Sequence, residues 1–119
     1  MGKVLVLDDN EELAENLGEI LEHEGLRVEV RSDPRVALRR MAETVWDVAV
    51  LDLRMPWVDG PTVGASLRAR QPGTRLIFVT AHADAGLLAR ARALEPVDVL
   101  EKPVGLKNLI DVVRRAVAA

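Results

Sequence analysis

Five short aliphatic runs, each followed by a helical stripe, limit what a chain of 119 residues like this one can build. The runs lie at 3–8, 26–31, 46–52, 75–80 and 97–101. Four are nearly continuous in apolar residues, as expected for strands covered on both faces. In the remaining run, Leu26, Val28 and Val30 alternate with Arg27, Glu29 and Arg31. That period of two suits a half-exposed strand at a sheet edge.

Between the runs the apolar spacing becomes helical. Leu13, Leu17, Ile20 and Leu21 fall on one face, and Gly25 is placed to end that helix. Ser32 or Asp33 can cap a second helix, with Pro34 in its first turn. Pro61 suits the start of a third, with Val63, Gly64 and Leu67 inward. A fourth, near 84–94, offers Leu87, Leu88, Ala91 and Leu94. A fifth turns Leu106, Leu109, Ile110, Val113 and Val117 to one side. Strict strand–helix alternation predicts parallel strands joined by right-handed crossovers, with helices on both faces. The predicted fold is α/β, a doubly wound (βα)5 sandwich forming one domain over residues 1–119.

Composition removes several functions. The chain has no cysteine, which excludes disulfides, thiolate metal sites and cysteine nucleophiles. A net charge of −3 argues against nonspecific nucleic-acid binding, which needs clustered excess Lys and Arg. No apolar stretch approaches the ~18 residues of a membrane span, and the start Met-Gly-Lys-Val-Leu-Val lacks a signal-peptide pattern. The expected location is the cytoplasm. There is no Walker-type loop and no G-x-G-x-x-G fingerprint, so nothing points to nucleotide binding.

What remains is a set of groups at the strand ends. Asp8 and Asp9 close the first run, Asp52 the third, Thr80 the fourth, and Lys102-Pro103 follows the fifth. In an open parallel sheet these ends share one rim. Clustered carboxylates resist joint ionisation unless a cation compensates. A hard dication with oxygen ligands does so, which points to Mg²⁺ beside a reactive aspartate.

With the phrases Leu51-Asp-Leu-Arg-Met-Pro-Trp-Val-Asp-Gly60, Val79-Thr-Ala81 and Leu100-Glu-Lys-Pro103, the chain resembles the response-regulator receiver domain of two-component signalling, from Lys3 to about Val117. The resemblance implies a flavodoxin-like sheet of strand order 2-1-3-4-5, the order of the family's chemotaxis member. It implies that Asp52 accepts a phosphoryl group from a phosphohistidine on a sensor histidine kinase or phosphotransfer protein. Asp9 and Asp52 are then carboxylate ligands of Mg²⁺, Asp8 helps directly or through water, and the backbone carbonyl of Arg54 is a further ligand. Thr80 and Lys102 are the hydroxyl and ammonium that meet the phosphoryl oxygens, and the Lys102-Pro103 bond is expected to be cis. The same resemblance implies a phosphoacceptor with slow self-dephosphorylation rather than a turnover enzyme. It is compatible with a phosphorylation-dependent homodimer, and with a stand-alone regulator or one domain of a longer regulator or hybrid kinase.

Three departures from the family pattern stand out. Val99 occupies the position, three before the lysine, where Tyr or Phe is frequent, so coupling is expected to run through Thr80 and the loop after it. Trp57 replaces the glycine common after Met-Pro, and Glu95-Pro96 stands where Gly-Ala is usual. Asp59 reads as a cap before Gly60, His23 as a solvated residue near a helix end, and His82 as a loop residue two places after Thr80. Arg90, Arg92, Arg114 and Arg115 mark a charged face, either solvated or turned to a partner. Two competing functions share parts of this pattern. A dehalogenase-like phosphohydrolase also uses Asp and Mg²⁺, but with two aspartates one residue apart, whereas Asp8 and Asp9 are adjacent. A phosphorylation-independent interaction module has no need of Asp52, Thr80 and Lys102 together.

Overall fold

The computed structural model describes residues 2–81 and 84–119, so the reading of His82 lies outside the described residues. Each aliphatic run forms a strand: β1 Lys3–Leu7, β2 Arg27–Arg31, β3 Val48–Asp52, β4 Arg75–Thr80 and β5 Asp98–Glu101. They alternate with α1 Glu11–His23, α2 Pro34–Arg40, α3 Gly60–Arg70, α4 Ala85–Ala93 and α5 Leu106–Ala118. All four pairings are parallel, in the order β2-β1-β3-β4-β5. The doubly wound fold and its strand order are as the sequence and the family resemblance imply.

Successive residues of a strand face opposite sides, so one strand feeds two cores. Val4, Val6, Val48 and Val50 pack with Leu17, Leu21, Leu109 and Val113 of α1 and α5. Leu5, Leu7, Ala49 and Leu51 pack with residues of α2, α3 and α4, including Ala37, Val63 and Leu67. Within α5 the buried positions are Leu109, Val112, Val113 and Ala116. Leu106, assigned inward from periodicity, is instead 55% exposed at the first position of α5.

The helix ends follow local chemistry. Asn10, Asp33, Asp59 and Asp84 each accept a hydrogen bond from a backbone N–H in the first turn of α1, α2, α3 and α4 respectively. Of the two candidates before α2, Asp33 is the cap, and Ser32 donates to Glu11 instead. Gly25, just past α1, takes φ +86°, a conformation a side chain would strain. His23 is exposed in the last turn of α1.

β2 lies at an edge, as its alternation predicts, yet Glu29 is largely covered. Its carboxylate accepts from Arg31 Nε at 2.9 Å, Arg40 Nε at 2.9 Å and Trp46 Nε1 at 3.4 Å, tying β2 to α2 and to the segment before β3. The Arg40 hydrogen bond, opposed by burial and aided by Arg31, holds the Glu29 carboxyl down to about 2. A depressed carboxyl stabilises the fold above its unfolded pKa, and that contribution fades as pH falls from about 4.5 towards 2. Glu29→Gln should therefore cost about 2 kcal/mol at pH 7. Thermal melts at stepped pH should show the gap to the parent closing across that acid window, and a gap independent of pH would refute the account.

Candidate phosphotransfer site at the sheet rim

The turn from β1 into α1 sets the first two acids. Asp8 N–H donates to the Arg31 carbonyl at 3.2 Å, and Asp8 Oδ1 accepts from Asn10 N–H at 3.0 Å. Asp8 is thereby buried while Asp9 faces solvent. Asp52 is the last residue of β3 and Thr80 the last of β4, both buried. Just past β5, Lys102 N–H donates to the Thr80 carbonyl at 2.8 Å, and the Lys102-Pro103 peptide is cis.

These strand ends converge. Carboxylate oxygens of Asp8, Asp9 and Asp52 lie within 4.8 Å of one another. Lys102 Nζ stands 2.8 Å from Asp8 Oδ2 and 3.5 Å from Asp52 Oδ1. A cavity of about 190 Å³ opens here, lined by Asp9, Asp52, Thr80 and Lys102, with Arg54 and Asp84 also on its wall.

Burial pushes the Asp52 carboxyl up to about 7, the Asp8 charge adds to this, Lys102 offsets part of it, and Asp9 raises it further. Burial alone would lower Lys102, but its hydrogen bond to Asp8 and the charge of Asp52 prevail and raise it. Three acids sharing one ammonium leave uncompensated negative charge in a partly dry site. Hard oxygen donors at this spacing, with that surplus charge, fit a small divalent ion.

A family model described as the response regulator receiver domain matches residues 4–114. The chain belongs to the response regulator receiver domain family. Among curated proteins it is 35% identical over 111 residues to a response regulator receiver protein of Anaeromyxobacter sp. (strain Fw109-5), covering 93% of this chain and 47% of that protein. It is 33% identical over 114 residues to the C4-dicarboxylate transport transcriptional regulatory protein DctD of Pseudomonas aeruginosa, covering 96% of this chain and 25% of the relative. The chain thus spans between a quarter and half of these relatives. Among solved structures, the receiver domain of the Francisella response regulator 1452 superposes with a TM-score of 0.87 at 28% identity, covering 99% of this chain and 98% of that one. A CheY-like receiver domain from Methanospirillum hungatei has the same fold, with a TM-score of 0.94 at 21% identity, over 99% of this chain and 94% of that one.

This receiver domain builds its β3–α3 loop tightly. Asp59 caps α3, accepting from Thr62 N–H at 2.8 Å. Gly60 N–H donates to the Leu53 carbonyl at 2.8 Å, and a Cβ at Gly60 would sit 2.1 Å from the Asp52 carbonyl oxygen. Only glycine permits that approach. Trp57 takes a left-handed φ of 69°, a conformation that favours glycine, and its exposed ring carries the Arg35 guanidinium 3.7 Å from the centroid. Arg35 is itself held by two hydrogen bonds to Asp33 at 3.0–3.1 Å. Glu95, in another of the three departures, also has a positive φ, 53°.

The remaining charged candidates are partly accounted for by neighbours. Arg90 bonds Asp59, Arg114 pairs with Glu24, and Arg115 lies 3.6 Å from Asp98. Arg92, with Thr80, Leu88, Val99, Glu101 and Lys102, lines a second cavity of about 260 Å³ between α4 and β5. Two polar links near the site were not anticipated from the sequence, Arg35 over Trp57 and Arg54 with Asp84. The capping rule could have found Asp84; no local signal marks its partner.

Proposed function

We propose that Asp52 is the phosphoacceptor of this receiver domain and that the switch operates through its phosphorylation by a partner histidine kinase or phosphotransfer protein. One observation carries the reading: Lys102 reaches both Asp8 and Asp52 at a rim where three carboxylates crowd within 4.8 Å. An Asp52 carboxylate oxygen attacks the phosphorus, a P–O bond forms, and the P–N bond to the donor imidazole breaks with its electron pair. The loose transition state spreads charge over three equatorial oxygens. Lys102 neutralises one of them, Thr80 donates a hydroxyl proton to another, and the walls limit water. Asp8, Asp9, Asp52 and the backbone carbonyl of Arg54 would hold Mg²⁺, which when bound supplies positive charge to the phosphoryl oxygens. The phosphoryl group carries about −1.5 to −2 charges where the Asp52 carboxylate carried one, so the rim gains negative charge and three further acceptor oxygens, enough to bias a two-state surface.

The domain acts in this reading as a phosphoacceptor that assists its own modification. Adjacent Asp8 and Asp9 disfavour the dehalogenase-like alternative. No helix among the described residues is long and apolar enough to cross a membrane, in keeping with a cytoplasmic partner kinase. Incubation with Mg²⁺ and acetyl phosphate should add one acid-stable, alkali-labile phosphoryl group by intact mass. The same adduct on Asp52→Asn would place the nucleophile elsewhere, and sustained turnover of small phosphate esters would favour a phosphohydrolase.

A further inference from the structure

Helix α4 is fastened differently from its neighbours. Helices α1 and α5 each bury four residues, whereas α4 buries Ala91 alone. Under it lies the 260 Å³ cavity whose wall includes Leu88 of α4 and Val99 of β5. Polar bonds to the β3–α3 segment help to fix it. Arg54 pairs with Asp84, the cap of α4. Arg90 bonds Asp59 and Thr62, each at 2.9 Å, and Arg68 donates to the Leu94 carbonyl at 2.8 Å.

The Arg54–Asp84 pair is the link that the rim chemistry can reach, because both residues line the cavity over Asp52. We propose that Arg54 and Asp84 form a charge latch that phosphorylation of Asp52 opens, with Arg54 turning to the phosphoryl oxygens and releasing the start of α4. The inference rests on Asp52 being the phosphoacceptor. A guanidinium matches phosphate in a bidentate geometry, and the incoming group carries more charge than the single carboxylate of Asp84. The released helix has room to settle, since Val99 leaves the space between α4 and β5 open. Coupling then needs no aromatic ring at position 99.

The test uses the whole chain with Mg²⁺, with and without beryllofluoride as the phosphoryl mimic. Adduct formation is followed by fluorine NMR, and amide exchange is read over Leu87–Leu94. Asp84→Asn removes the charge and keeps a good cap. Exposed ion pairs of this kind shift such equilibria by about two- to fivefold. Wild-type exchange in α4 should rise by about that factor when the adduct forms. Asp84→Asn should exchange at the faster rate from the outset, gain little from beryllofluoride, and lose the salt dependence expected of the wild type. An Asp84→Asn protein as protected as wild type, with the same gain, overturns the latch. An adduct that leaves wild-type α4 unchanged also overturns the latch but spares the Asp52 assignment. Absence of any wild-type adduct removes both.

Discussion

Without metal at pH 8, Asp52→Asn should melt higher than the native protein, although it removes the proposed phosphoacceptor. The sign follows from the raised carboxyl. Asp52 ionises at about 7 in the fold against an ordinary 3.8. Its contribution to stability is whole below pH 4 and is lost as pH climbs through 7, because the folded site resists the charge that the unfolded chain accepts. Asparagine never takes that charge. About three pKa units correspond to roughly 4 kcal/mol, and solvent screening at the open rim brings this to about 2–3 kcal/mol. The midpoint should rise by roughly 5–10 °C. The advantage should vanish at pH 4, and saturating Mg²⁺ should narrow it at pH 8, since a bound dication compensates the charge of the native site only. Paired melts in chelator and in Mg²⁺ decide the matter. A variant that melts at or below the parent in chelator at pH 8 would falsify the picture of a site held under electrostatic strain.

Gly60→Ala should do the opposite, damaging both stability and chemistry. The new methyl would lie 2.1 Å from the Asp52 carbonyl oxygen and 3.0 Å from the Leu53 Cα, both backbone atoms with no rotamer to yield. Either α3 backs away from the sheet or the end of β3 shifts. Overpacking of this kind costs about 3 kcal/mol, or roughly 10 °C in midpoint. Asp52 is the residue displaced, and a misplacement of about 1 Å at a reacting group can cost ~100-fold in rate. Phosphorylation by acetyl phosphate should therefore slow by more than the stability loss explains, even at temperatures where the variant remains folded. Melting within 2 °C of the parent at an unchanged rate would show that the loop gives way freely.

The architecture was legible because the forces that create it act over short stretches. Val48–Leu51 and Leu76–Val79 have no polar residue to spare for a solvent face, so two covered strands follow directly. Asp33-Pro34 and Asp59-Gly60-Pro61 announce helix starts by their own hydrogen-bonding chemistry. The strand order was legible only through resemblance to a family, apart from the alternation that puts 26–31 at an edge. Residues that could hold a cation were readable as strand-end acids, since a parallel sheet brings such ends together wherever they lie in the chain. Less could be read of groups that meet across loops. Glu29 looked like an exposed edge residue until Arg40 and Trp46 closed over it, and Leu106 fitted the helical stripe although it stays exposed at the first position of α5. The ring of Trp57 under Arg35 joins the β3–α3 loop to the first turn of α2, which no periodicity relates.

At the end of the sheet away from the rim, Gln71 accepts from Trp46 N–H at 3.2 Å and donates to the carbonyls of Met41 and Thr44, while Thr74 donates to the Trp46 carbonyl at 2.7 Å. Every polar atom of this knot has a partner, and it locks the starts of β3 and β4 together. The strands are therefore anchored at the foot, while the crowded carboxylates gather at the crown. Local opening should spread from the crown downwards. With Asp52 as the proposed phosphoacceptor, substitutions around the carboxylates should change how long a signal lasts without loosening the foundation that keeps the chain folded.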